Sequence, residues 1–171
     1  MKKFISTLVL ISLFSVYAMA DGIKVTQGDK KLFKNAEGNA QIEIVLDGAT
    51  YDGQKPLKEK FEDLANFKKC AIEGFTEGFN NKSKKVKIAA DNVKYKIAFK
   101  VSKVDQYFKV MGFVPGNATK VWGEVTITDA ASGETLAVIN VDEVDGGANL
   151  SPDGTISDSF KELAELIAKL K

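Results

Sequence analysis

The sequence contains no histidine and no arginine; all 24 of its basic residues are lysine. The first absence removes the usual general base near neutral pH and the commonest metal ligand. A histidine-assisted nucleophilic triad cannot be assembled from such a chain. The second absence removes the planar fork that grips phosphate or carboxylate at two points. The lone cysteine, Cys70, permits no internal disulfide, so stability has to come from a packed core. Neither an internal repeat nor a low-complexity stretch is present. Nothing in this composition calls for a cofactor or a metal.

What is present begins with an export pattern. "MKKFISTLVLISLFSVYAMADG" has two leading lysines, an apolar run from Phe4 to about Val16, and the small residues Ala18 and Ala20 around Met19. A charged head, a short apolar segment and an A-x-A site are the marks of a secretory signal peptide over residues 1–20. The run is too short for a comfortable membrane span. No cysteine stands at the cleavage point, so lipid anchoring is not expected. Residues 21–171 then read as one exported domain, periplasmic or secreted in a Gram-negative bacterium, long enough for a real core. Removing Lys2 and Lys3 takes the formal charge from +1 to about −1. A nearly neutral chain argues against nucleic acid as a partner, because that affinity comes from excess cationic charge.

Periodicity gives the fold class. Ile23 to Thr26 and "AQIEIVL" read as strands, the second closed by Asp47-Gly48. From Leu57, apolar positions at helical spacing reach Phe79, with a phase break around Asn66 to Lys69 that predicts one irregular helix or two. Gly74 and Gly78 weaken its second half by about 1 kcal/mol each. "KKVKIAAD" is a short strand, and strand, helix, strand in that order predicts a parallel pair. "KYKIAFKVSK" puts Tyr95, Ile97, Phe99 and Val101 on one parity and Lys94, Lys96 and Lys100 on the other, with a bulge expected near Ser102 or Lys103. Residues 105–117, with Gly112, Pro115 and Gly116, read as a loop.

"VWGEVTITDAASGETLAVINVDEV" is a hairpin in which Val125 and Ile127 share a face with Leu136 and Val138 if Asp129 opposes Glu134. Ser159 and Glu162 suggest a capping box for a C-terminal helix with Phe160, Leu163, Ala164, Ile167 and Leu170 as its stripe. The sum is a two-layer α/β sandwich. Its sheet is mixed, mostly antiparallel and of about five strands, with a long helix and a C-terminal helix on one face.

Few residues look like a site. The lysines Lys94, Lys96 and Lys100 fit the wet face that a helix-backed sheet requires, and they are also a possible anion patch. "NLSPDGTISDSF" has calcium-loop residues at Asn149, Ser151 and Asp153, but Phe160 stands where a bidentate glutamate belongs. Tyr107, Phe108 and Phe113 in the expected loop, together with Trp122 on the parity opposite Val121 and Val125, form a possible apolar interaction patch. No catalytic residues are assigned. A carboxylate pair needs only two acids placed by the fold, so a carboxylate-based hydrolase stays open as a third reading.

The leader, "AQIEIVLDGATYDG", "GFTEGFN", "VKYKIAFKVSKVD" and "GNATKVWGEVTITDAASGETLAVINVD" together resemble exported bacterial domains of unknown function with the signature G-x-V-x-I-x-D-x-x-(S/T)-G-x-x-L. Those are similar to the α/β domain of curli-secretion and penicillin-binding-protein-activator lipoproteins. The resemblance implies an α/β architecture and supplies no catalytic residues; the expected function is a non-catalytic binding or scaffold domain of the bacterial envelope, with another envelope protein as its partner. The alternative is a carrier of a small or anionic ligand on the open sheet face.

Overall fold

A computed structural model describes residues 19–20, 22–111 and 114–170. The predicted leader falls on residues 1–20, of which 1–18 lie outside the described residues. Nine strands form one mixed sheet: β1 (Met19–Ala20), β2 (Ile23–Gly28), β3 (Gly38–Val45), β4 (Thr50–Tyr51), β5 (Lys55–Pro56), β6 (Val86–Ile88), β7 (Val93–Met111), β8 (Val114–Asp129) and β9 (Thr135–Asp145). The order is β1-β2-β9-β8-β7-β3-β6, with β4 and then β5 flanking β7 beyond the end of β3. The expected five strands understate this sheet, because three two-residue strands have no period to read. Three helices, α1 (Leu32–Asn35), α2 (Leu64–Lys82) and α3 (Pro152–Ala168), supply the second layer. Among the described residues no helix is long and apolar enough to cross a membrane.

The parity of β7 decides the layering. Tyr95, Ile97, Phe99 and Val101 are buried, while Lys94, Lys96 and Lys100 are exposed. Phe33, Phe79 and Tyr95 meet edge to face, and Phe160 of α3 touches both Phe67 of α2 and Phe99 of the sheet. The parallel pairing of β3 with β6 is present, and the expected bulge sits between Val101 and Lys103.

Three sequence expectations fail locally. Leu57 begins a 3-10 turn (Leu57–Glu59), and α2 starts only at Leu64, where the Asp63 carboxylate accepts from the Asn66 N–H at 2.8 Å. In the β8–β9 hairpin Asp129 N–H does donate to Glu134 C=O at 2.9 Å, but a bulge at Leu136 follows. Val125 and Ile127 therefore face Ile139 and Ala137, not Val138 and Leu136. Finally, α3 begins at Pro152 with Ser151 as its cap, so Ser159 is an interior residue rather than the start of a capping box.

Gly74 and Gly78 have a use that propensity does not reveal. A Cβ at Gly74 would lie 2.1 Å from the Ser157 carbonyl oxygen, and one at Gly78 would lie 2.3 Å from that of Lys161. The two glycines let the backbones of α2 and α3 touch.

Candidate functional site

The lysine ladder comes first because it dominates the open face. Cross-strand register places Glu124 opposite Lys100, Thr128 opposite Lys96 and Glu43 opposite Ala98. Acids are thus interleaved with the ammonium groups, and Coulomb attraction within the ladder competes with any external anion. Lys94, Lys96 and Lys100 belong to a solvated face of mixed sign rather than a concentrated basic patch.

The aromatic residues are arranged differently from a loop patch. β7 and β8 run on as one antiparallel ribbon through Asp105–Met111 and Val114–Lys120, so residues 105–111 and 114–117 are strand, not loop. Successive side chains on a strand point to opposite faces. Tyr107 therefore shares the open face with Trp122, while Phe108 lies on the other. Phe113 lies outside the described residues. The Lys103 ammonium sits 3.7 Å from the centroid of the half-buried Trp122 ring, and Lys120 sits 4.7 Å from that of Tyr107.

Tyr107 anchors a polar cluster that parity alone does not reveal. Its hydroxyl donates to Asp145 Oδ2, and Lys120 donates to Glu143 Oε1. Glu143 holds a left-handed φ of 59°, which goes with the irregular pairing of β8 and β9 near Val121 and Gly123. Burial, then the hydrogen bond to the Asp145 carboxylate, push the Tyr107 phenol up to about 12. The hydrogen bond from Lys120 to Glu143 raises the lysine. The two acids face a phenol and an ammonium instead of opening onto a shared cleft, so the cluster gives no support to a carboxylate-pair hydrolase. Beside it, the β7 bulge leaves a shallow depression of about 530 Å³ lined by Lys100, Trp122, Gly123 and Asp142. A side chain at Gly123 would meet the Lys100 carbonyl oxygen at 2.2 Å, so glycine is required there.

The base of the ribbon is pinned to α3 by a buried polar seam. Ser159 Oγ donates to the Thr119 carbonyl at 2.5 Å, Thr119 Oγ1 to Thr155 Oγ1 at 2.8 Å, and Gln106 Nε2 to Thr119 Oγ1 at 3.3 Å. Further out, Asn117 exchanges two 2.9 Å backbone hydrogen bonds with Asn149. Beyond Val104 no described strand pairs with the second edge of β7. This end of the sheet carries all three of the large hydrophobic side chains that stand exposed among the described residues: Phe108 (66 %), Val110 (58 %) and Leu150 (77 %).

The calcium-loop candidate is helix from Pro152 onward. Asn149 donates to Asp158 at 3.0 Å, and its side-chain oxygen accepts from the Ser151 N–H at 3.0 Å. Asp153 accepts from Asn66 at 3.1 Å. Among the described residues no group of three or more histidine, cysteine or acidic side chains is placed to hold a metal. Cys70 is buried, and that burial raises its thiol.

No family model matches the chain, and no curated protein matches it in sequence. Among solved structures it is similar to the PelC dodecamer subunit of Paraburkholderia phytofirmans (TM-score 0.41, 12 % identity, 87 % of this chain and 97 % of that one). It is also similar to a putative neuraminyllactose-binding hemagglutinin homolog from Helicobacter pylori (0.42, 10 %, 80 % and 83 %). A third is protein XCC0632 from Xanthomonas campestris, a DUF330 protein (0.36, 11 %, 78 % and 82 %). None of these places the chain with the curli-secretion or penicillin-binding-protein-activator lipoproteins, and at such low similarity none assigns it a role.

Proposed function

We propose that this chain is an exported, non-catalytic binding domain of the bacterial envelope that docks another protein through the far end of its β7–β8 ribbon. The observation that carries the reading is the gathering of Phe108, Val110 and Leu150 at one end of the sheet. Cross-strand register runs from Phe108 through Asn117 to Asn149, so the three residues lie within a few positions of one another. Apolar side chains grouped on a projecting element, while the rest of the surface is lysine-rich and mixed in charge, are the usual mark of a protein contact. The edge of β7 beyond Val104, which no described strand pairs, adds backbone donors and acceptors that an extended partner segment can pair with. Export follows the charged, apolar and small-residue pattern of residues 1–20.

The test is site-specific photocrosslinking in the native host. A photoreactive residue at position 108 is expected to give one discrete protein adduct, and the same residue at Glu134, in the turn at the other end of β8, none. Equal labelling from both positions, or none from position 108, contradicts the proposal.

A further inference from the structure

The opposite end of the molecule holds a second, chemically different site. There the C-terminal ends of α1, α2 and α3 converge around a groove of about 520 Å³. That volume falls in the range of small-molecule sites. Its apolar surface comes from Ala168 and Leu170, with the almost fully buried Phe33 at its floor. Lys34, Lys82, Lys84, Lys85 and Lys169 surround it. These are not the lysines of the open sheet face.

Lysine is common at helix C-termini because it offsets the negative end of the dipole and caps free carbonyls. At the end of α2 that task is already met by a residue outside the groove. Lys87 donates to the carbonyls of Asn80 and Ser83 at 2.6 and 2.7 Å. Of the groove lysines, Lys82 and Lys169 share the single carboxylate of Glu165, at 3.3 and 3.2 Å, and Lys85 holds Glu37 at 2.6 Å. Burial pushes Glu165 up, yet the hydrogen bonds from Lys169 and Lys82 outweigh it and its pKa falls. Lys34 and Lys84 make no ion pair with any described residue. Among the described residues the five groove ammonium groups thus pair with only two carboxylates, on a chain whose whole formal charge is only +1. Like charges crowded together repel unless an anion joins them.

We propose that this groove binds an anionic amphiphile, a single acyl chain ending in phosphate or carboxylate. The head sits between Lys34 and Lys84, and the chain lies against Phe33 and Leu170. With lysine in place of arginine, the head is held by point charges without bidentate geometry, so either anion is accepted and salt weakens the complex. This groove shares no residue with the β7–β8 ribbon, so ligand binding here does not depend on docking there.

Isothermal titration of the purified protein, below the micelle threshold, tests this with four probes: dodecyl phosphate, dodecanoate, dodecyl maltoside and inorganic phosphate. Saturable binding of the two anionic amphiphiles is expected, with little or none of the neutral one or of free phosphate. A Lys34→Glu/Lys84→Glu variant should lose at least about tenfold in affinity with its melting temperature unchanged. Leu170→Asp, tested in parallel, should lose as much by removing the apolar wall. Lys55→Glu, away from the groove, should bind as the parent does. The proposal is overturned if neither anionic amphiphile binds, if dodecyl maltoside or inorganic phosphate binds as tightly, or if both groove variants bind like the parent.

Discussion

Tyr107 shows how one side chain reports on its surroundings. Its phenol is held as a donor to a carboxylate, and its pKa stands at about 12 against an ordinary 10. A raised folded-state value means that the stabilisation is fully present below pH about 10 and is lost as pH climbs through the folded value. Tyrosine absorbance followed through alkaline titration should therefore show one phenol ionising as late as about pH 12, beyond the smaller delay that burial gives Tyr51, and Tyr107→Phe should abolish that late step. The substitution should also cost about 1.5 kcal/mol, the worth of a hydrogen bond to a charged group. A late step that survives the substitution would assign it to another tyrosine. None of this was legible in the sequence, where Tyr107 read as a loop aromatic. Its partners Lys120 and Asp145 lie 13 and 38 positions away, and only the strand register brings them together.

At the scale of elements, the glycines of α2 reverse an expectation drawn from propensity. In an isolated helix Gly78→Ala would stabilise by about 1 kcal/mol. Against α3 the new methyl meets a backbone carbonyl at 2.3 Å, which cannot move aside as a flexible side chain can. Gly78→Ala should therefore destabilise by about 1–3 kcal/mol, seen as a lower midpoint in urea. A midpoint that rises would mean that α2 and α3 do not pack backbone to backbone.

The same scale marks where reading the sequence succeeds and where it stops. The alternation in β7, the parallel β3–β6 pair and the bulge near Ser102 are local signals, and they were legible. Residues 105–117 were not, because Gly112, Pro115 and Gly116 outweighed the alternation of Val104, Gln106, Phe108 and Val110. Pro115 is tolerated because no described strand pairs with β8 there on the side away from β7, so no ladder donor is needed. The faces of Leu136 and Val138 were missed for a related reason, since a bulge of one residue swaps every later side chain to the other face.

For the whole molecule, the tip of the β7–β8 ribbon and the C-terminal ends of the helices differ in chemistry. One end carries Phe108, Val110 and Leu150; the other gathers five lysines around an apolar groove. Between them the open face alternates lysine with glutamate and serves as a solvated surface. The groove was hidden from the sequence because its lysines come from α1, from the end of α2 and the residues after it, and from the residue after α3. On this reading the protein works through the exposed end of the β7–β8 ribbon. The most direct measurement is affinity capture from the native envelope with three baits: the parent chain, Phe108→Asp/Val110→Asp, and Lys94→Glu/Lys96→Glu/Lys100→Glu. The account predicts one partner retained by the parent and the lysine variant and lost by the ribbon variant, with all three equally folded. A partner kept by the ribbon variant and lost by the lysine variant would contradict it.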